Sequence, residues 1–319
     1  MLFPVSGIEV SPFVPPLVAC VISFFTSMGG VSGAFLLLPF QVSVLGYTSP
    51  SVSSTNQLYN IVAIPSGVLR YIREGRMVWP LTWIVVAGTL PGVLLGAIIR
   101  VKYLPDPGRF KLFAALVLLY IGGRMLRDLL KAKAPGQTKN SSEARFQALV
   151  QAHRTRQAEA GRQGGTVLPV ACVKHFTLKS ICYEFYGEVH TAPTLGILVL
   201  SAIVGIVGGV YGIGGGAIIA PFFVSFYRLP VYTVAGAALM GTFVTSVAGV
   251  AFYQLIAPLY PTMSVAPDWK LGILFGLGGM VGMYLGALCQ KYVPAKYIKW
   301  MLSGLILFLA VKYLAEATY

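Results

Sequence analysis

Two glycine clusters lie inside the most apolar stretches of the chain: GGVSG at Gly29–Gly33 and GIGGG at Gly212–Gly216. Glycine is the poorest helix former after proline and accepts backbone conformations that other residues refuse. A helix break at membrane depth leaves N–H and C=O groups unpaired, which is tolerated only beside protein, water or ligand. Half-helices starting near Ala34 and near Ala217 would aim positive dipole ends and free N–H groups at the membrane centre. Such a place suits an anion without needing a formal positive charge. Its candidate residues are Gly30, Ser32, Gly33, Gly212, Gly214, Gly215 and Gly216. The plainer reading is close helix packing; the duplication of the break favours a binding site. A nucleotide loop is excluded, because no strand precedes GIGGG and no Lys-Ser or Lys-Thr follows it.

The next polar groups are uncharged. SVSSTNQLYNIV (Ser51–Val62) and MGTFVTSVAG (Met240–Gly249) each follow one of the breaks. Asn56 and Asn60 stand four apart and share a helical face, as do Ser53 and Gln57. Amides and hydroxyls donate to oxyanion oxygens and cost less to bury than lysine. Asn56, Gln57, Asn60, Thr242, Thr245 and Ser246 are therefore candidate substrate ligands, with Arg70 as an attractor at the entrance. Hydrogen-bonding between neighbouring helices is the alternative role for such residues.

Other chemistries lack their residues. No Asp or Glu falls inside an apolar span, and His153, His175 and His190 all lie in one polar loop. Asp106 and Asp268 stand where helices begin and read as caps. No Ser-His-Asp set, carboxylate pair or metal-ligand cluster is at hand, so neither an enzyme nor a metal or other cofactor is expected. Cys20, Cys172, Cys182 and Cys289 have no metal-like spacing. The basic loop has no aromatic-interleaved motif for nucleic acid.

The elements that must position these groups follow from composition. Of 319 residues, 56% are hydrophobic and only 11% charged, and mean hydropathy is +0.75. A soluble domain carries about 25% charged residues. Apart from Glu9 no charge appears before Arg70, and Arg228 is the lone one between Pro193 and Pro267. These runs are several times the ~20 residues that cross a bilayer. The chain reads as an all-α polytopic membrane protein.

Hydropathy marks eight segments: Val14–Leu45, Ser51–Leu69, Val78–Ile99, Gly108–Arg127, Thr194–Tyr227, Val231–Ile256, Trp269–Gln290 and Ala295–Ala315. The first and fifth are too long for one straight span, and each contains a glycine cluster. A shift of 182 residues lays Gly30 on Gly212, Gly33 on Gly215, Pro39 on Pro221, Gly67 on Gly249 and Tyr71 on Tyr253. A shift of 190 lays Trp79 on Trp269, Gly88 on Gly278, Gly92 on Gly282 and Gly96 on Gly286. Constant offsets across consecutive helices indicate duplication, a common build of secondary transporters. The expected organisation is an N-terminal segment (1–13), a first transmembrane repeat (14–128), a basic loop (129–192) and a second repeat (193–319). About eight transmembrane helices then form two homologous four-segment halves, each opening with a glycine-broken helix.

In the loop, SSEARFQALVQAHRTRQAEA reads as an amphipathic helix capped by Ser141 or Ser142, and VACVKHFTLKSICYEFYGEV reads as a hairpin. With eight spans both termini share a side with the Arg70–Arg76 turn and with this loop. The distribution of basic residues places that side in the cytoplasm. Were the broken elements re-entrant hairpins, each half would cross an odd number of times and the copies would be inverted; both arrangements remain open.

Gly205–Tyr253, with its run GGVYGIGGGAIIAPFF followed by GTFVTSVAG, resembles the sulfite exporter TauE/SafE family, also called toluene-sulfonate uptake permeases. Gly29–Val68 is similar to that family's N-terminal repeat, with Ser32 standing where the second copy has Gly214. The resemblance implies transport of small sulfur-containing anions, sulfite or organosulfonates, across the cytoplasmic (inner) membrane of a prokaryote. Export is the expected direction. The alternatives are import of an organic carboxylate or other anion, and a channel-like or accessory membrane component. The partners expected are the anionic substrate, the lipid bilayer and a coupling ion, H+ or Na+. A homo-oligomer is compatible with the sequence, and no ATP-binding motif is present.

Overall fold

The computed structural model describes residues 1–28, 32–73, 77–131, 171–185, 187–227, 229–289 and 295–318. Gly30 and the amphipathic helix expected after Ser142 lie outside the described residues. A short hairpin, β1 (Leu2–Phe3) with β2 (Ile8–Glu9), precedes α1 (Val14–Met28), α2 (Ala34–Ser43), α3 (Ser51–Ala63), α4 (Pro65–Arg73), α5 (Trp79–Lys102) and α6 (Pro107–Lys131). A three-stranded antiparallel sheet follows, in the order β3 (Cys172–Phe176), β4 (Ser180–Phe185), β5 (Glu188–Pro193). Then come α7 (Thr194–Tyr211), α8 (Ile219–Phe226), α9 (Val231–Ile256), α10 (Trp269–Cys289) and α11 (Ala295–Thr318). Among the described residues four helices are long and apolar enough to cross a membrane: Trp79–Lys102, Thr194–Tyr211, Thr233–Leu259 and Trp269–Gly286. The protein is a mostly helical, multi-pass membrane protein.

Glycine rows set the closest helix approaches. On α5, Gly88, Gly92 and Gly96 face the backbone carbonyls of Leu198, Ala202 and Ile206 on α7. On α10, Gly278, Gly282 and Gly286 face the carbonyls of Pro16, Cys20 and Phe24 on α1. A Cβ at any of these six positions would overlap the facing carbonyl. The two interfaces use matching positions: the α5 and α10 glycines differ by 190 in number, and their partners on α7 and α1 by 182.

These contacts fix helix direction. Rising numbers on α10 meet rising numbers on α1, and also on α3, where Gly272 faces Leu58 and Gly276 faces Val62. So α1, α3 and α10 are parallel. Between α1 and α3 the chain must come back, and α2 is the return. Its start lies by Asn56, since Asn56 Nδ2 donates to Ala34 O (2.9 Å). Past its end, Tyr47 OH donates to Ser51 Oγ at the start of α3 (2.8 Å). The first break therefore reverses the chain, where the sequence reading had one over-long span with an unwound centre. In the second half α7 is parallel to α5, and α9 is too, with Val85 against Gly241 and Val101 clustered with Tyr253. Thus α8 is the corresponding return. The turn before it uses Gly212 (φ +81°) and Gly214 (φ +77°), left-handed conformations that side chains rarely adopt.

Both termini lie on one face, the terminal face. Ser6 Oγ donates to Asp268 Oδ2 (2.9 Å) and Ser264 Oγ to Val5 O (2.8 Å). Lys111, at the start of α6, pairs with Glu316 near the C-terminus at 2.6 Å. The sheet β3–β5 lies on the opposite, loop face, where Tyr183 OH and Thr233 Oγ1 are 2.8 Å apart. Gly236 on the same face adjoins Tyr71 and Met77, which flank the basic turn. The expectation that termini, turn and loop share a side is thereby corrected. Its cause is the reversal at each break, which gives each half one more traverse.

Candidate functional site

α3 and α9 cross with polar faces together, and both breaks end beside the crossing. Ser53, Asn56, Gln57, Asn60, Thr245 and Ser246 are fully buried, and Thr242 and Ser32 nearly so. Asn60 is the centre of this cluster. Its Nδ2 donates to Ile213 O in the second break (3.0 Å) and to Ser246 Oγ on α9 (3.4 Å). Its Oδ1 accepts from Ser32 Oγ at the first break (3.3 Å), and that hydroxyl accepts from Ala34 N (3.3 Å). One side chain joins both breaks and both central helices.

The remaining candidates take different places around it. Asn56 donates to Ala34 O, and its Oδ1 accepts from Gln41 Nε2 at 3.3 Å. Thr245 Oγ1 accepts from Gly215 N (3.0 Å) and donates to Gly241 O. Thr242 Oγ1 donates back to Ala238 O (2.8 Å), while its methyl lies against Gly214. Gln57 differs from all of them: both of its amide atoms are buried without a hydrogen-bond partner, against Gly249 of α9. Gly33 lies under the Tyr59 hydroxyl, which is 2.7 Å from Ser23 Oγ. Gly216 is held against Ala238 O, and Gly215 faces the Thr89 side chain of α5. The space that a side chain at Gly215, a candidate of the anion site, would enter is thus occupied by Thr89. Arg70 lies in α4, away from this crossing.

Both half-helices begin beside the cluster. The first N–H of α2 meets only the Ser32 hydroxyl, the Ile218 start of α8 has no side-chain cap, and neither first turn holds an acid. Their positive ends therefore face neutral donors. Asp268 is the buried carboxylate of the described residues, and it is committed elsewhere, capping α10 through Leu271 N (3.1 Å). Among the described residues no group of His, Cys, Asp and Glu could hold a metal ion.

A family model described as "Sulfite exporter TauE/SafE" matches residues 16–313, nearly the whole chain and both breaks. The chain belongs to the sulfite exporter TauE/SafE family. Two curated proteins of Xylella fastidiosa called "Probable membrane transporter protein" are each 24% identical, one over 302 residues in strain 9a5c and one over 295 in strain Temecula1. In both cases the match covers 92% of this chain and 90% of the relative. A Bacillus subtilis relative, "Probable membrane transporter protein YdhB", is 24% identical over 115 residues, 36% of this chain and 44% of its own length. No solved structure matches. As a member of this family the protein is a membrane transporter.

Sequence reasoning missed one prominent residue. Arg100 stands in the last turn of α5, yet it is 0% exposed. It lies over the Phe110 ring at 3.8 Å, under the loops that carry Thr48 and Leu104. The run AIIRVKYLPDPGRF offered one signal: a tight Pro-Asp-Pro turn five residues after Arg100, which folds α6 back over it.

Proposed function

We propose that the protein is a secondary transporter that exports a small sulfur-containing oxyanion, sulfite or an organosulfonate, across the cytoplasmic membrane of a prokaryote. The observation that carries this reading is that Asn60 joins the start of α2, through Ser32, to the bend that leads to the start of α8, through Ile213 O, in a buried crossing of neutral donors with no carboxylate among the described residues. Each start is equivalent to roughly half a positive charge, so the pair supplies about one unit. That suits a cargo that must be released as well as bound. The two halves are read as inverted copies of five segments each, supported by the matched glycine contacts and by the antiparallel crossing of α3 with α9. Inverted copies give two equivalent ways of opening, one toward each face, around one central site.

The test is counterflow in proteoliposomes loaded with sulfite, an alkyl sulfonate, an aryl sulfonate and a carboxylate in turn. Saturable exchange of sulfite or a sulfonate, dependent on an ion gradient for net movement, is expected. Exchange of the carboxylate alone would replace this reading with carboxylate import. A non-saturating flux would make the protein a channel.

A further inference from the structure

We propose that Arg100 and Gln57 form a second, charged anion station at the terminal-face end of the path, one step out from the neutral crossing. This rests on the oxyanion reading above. Arginine stays protonated in proteins and carries five N–H donors in a planar fork. Three are used, all on neutral acceptors: Nε donates to Ser53 Oγ (3.3 Å), Nη2 to Thr48 O (3.2 Å) and Nη1 to Leu104 O. Among the described residues no Asp or Glu pairs with it. A fully buried charge without a counter-charge is costly, and proteins seldom keep one unless an anion completes it. Two N–H groups remain for that anion.

Gln57 is the independent second observation. It follows Ser53 by one helical turn on α3, and Asn60 follows it by another three residues, so the three share a face. Both its amide atoms are buried and unpartnered. Such an orphan has a desolvation cost that a ligand would relieve. The face thus leads from a charged fork, past an unpaired amide, to the neutral cluster at Asn60. The loops that hold Thr48 and Leu104 close the fork from the terminal face. An anion arriving from that side would take the places of their carbonyls and loosen both loops together.

Sulfite counterflow is measured in proteoliposomes carrying the parent protein, Arg100→Gln, Arg100→Lys and Gln57→Leu, each first checked for monodisperse elution and thermal midpoint. Arg100→Gln is expected to raise KM for sulfite by at least about thirtyfold, as for other buried charge partners. Arg100→Lys, which keeps the charge and so the fold, should raise it roughly tenfold by losing the fork. Gln57→Leu should raise KM several-fold while leaving the midpoint unchanged or higher, a split that a merely structural amide would not give. A parent that exchanges neither sulfite nor a sulfonate overturns both this station and the export reading; where it exchanges a sulfonate instead, that sulfonate replaces sulfite in the same comparison. A parent that moves sulfite with Arg100→Lys or Gln57→Leu within twofold of its KM overturns the station alone. Where Arg100→Gln does not elute as one species, the other two variants decide.

Discussion

Asn60 Nδ2 donates to the backbone carbonyl of Ile213 at 3.0 Å, so the central helix of the first half is fastened to the bend of the second. The same amide also takes Ser246 and Ser32. Its hydrogen-bonding capacity is largely spent on protein, which makes it the tie between the breaks.

Asn60→Leu is therefore expected to cost stability, not only affinity. It leaves Ile213 O buried without its side-chain donor and the Ser32 hydroxyl without its acceptor, at about 1–3 kcal/mol for an unsatisfied group. The thermal midpoint in detergent should fall, and sulfite affinity should weaken with it. A midpoint equal to the parent's would show that these contacts do not hold the breaks together.

The glycine rows give a sharper contrast. Gly92→Ala or Gly282→Ala drives a Cβ into the facing carbonyl of Ala202 or Cys20, and the helices must part. Gly123→Ala and Gly304→Ala meet nothing within 4 Å. The first pair should lose most folded material in fluorescence-detected chromatography. The second should be neutral or gain up to about 1 kcal/mol from helix propensity. Equal behaviour of the two pairs would mean that close approach is not what the rows provide.

Gly215 separates room for packing from room for cargo. Its added Cβ would strike the Thr89 side chain. Gly215→Ala should therefore impair folding and transport together, and Thr89→Gly in the same chain should restore both in large part. Failure of that rescue, with the double variant well folded, would return Gly215 to the anion's space.

How much of this was legible beforehand depended on what kind of force wrote it. The 190 offset was visible because close backbone contact permits glycine alone at those six positions, leaving a mark in the sequence. The neutral donors of α3 and α9 were visible because polar residues in an apolar run stand out. The reversal at each break was not, since hydropathy has no direction and two short antiparallel helices look like one long span. Nor was the burial of Arg100. An arginine near a helix end ordinarily reaches for the membrane surface, and only the loops at Thr48 and Leu104 close over this one.

Arg70 belongs to α4, whose Tyr71 adjoins Gly236 on the loop face. Arg70→Gln should slow sulfite exchange at low ionic strength and leave the saturated rate unchanged. At ~1 M salt, where the screening length is about 3 Å, the difference should vanish. A deficit that persists there would place Arg70 in contact with the cargo.

The reversal also predicts which residues share a side of the membrane. Cys172, on β3, is an exposed free thiol on the loop face. The β1–β2 turn at Ser6 and the C-terminal Glu316 both lie on the terminal face, through Asp268 and Lys111. In a background lacking the other native cysteines, an impermeant maleimide applied to sealed vesicles of one orientation should label either Cys172 or the pair Ser6→Cys and Glu316→Cys, never all three. Vesicles of the opposite orientation should give the complementary result. Four straight spans per half would instead expose all three together. The pattern thus decides between a broken helix that continues and one that turns back. It decides as well whether the halves are parallel or inverted, because one extra traverse per half is what turns the second copy over.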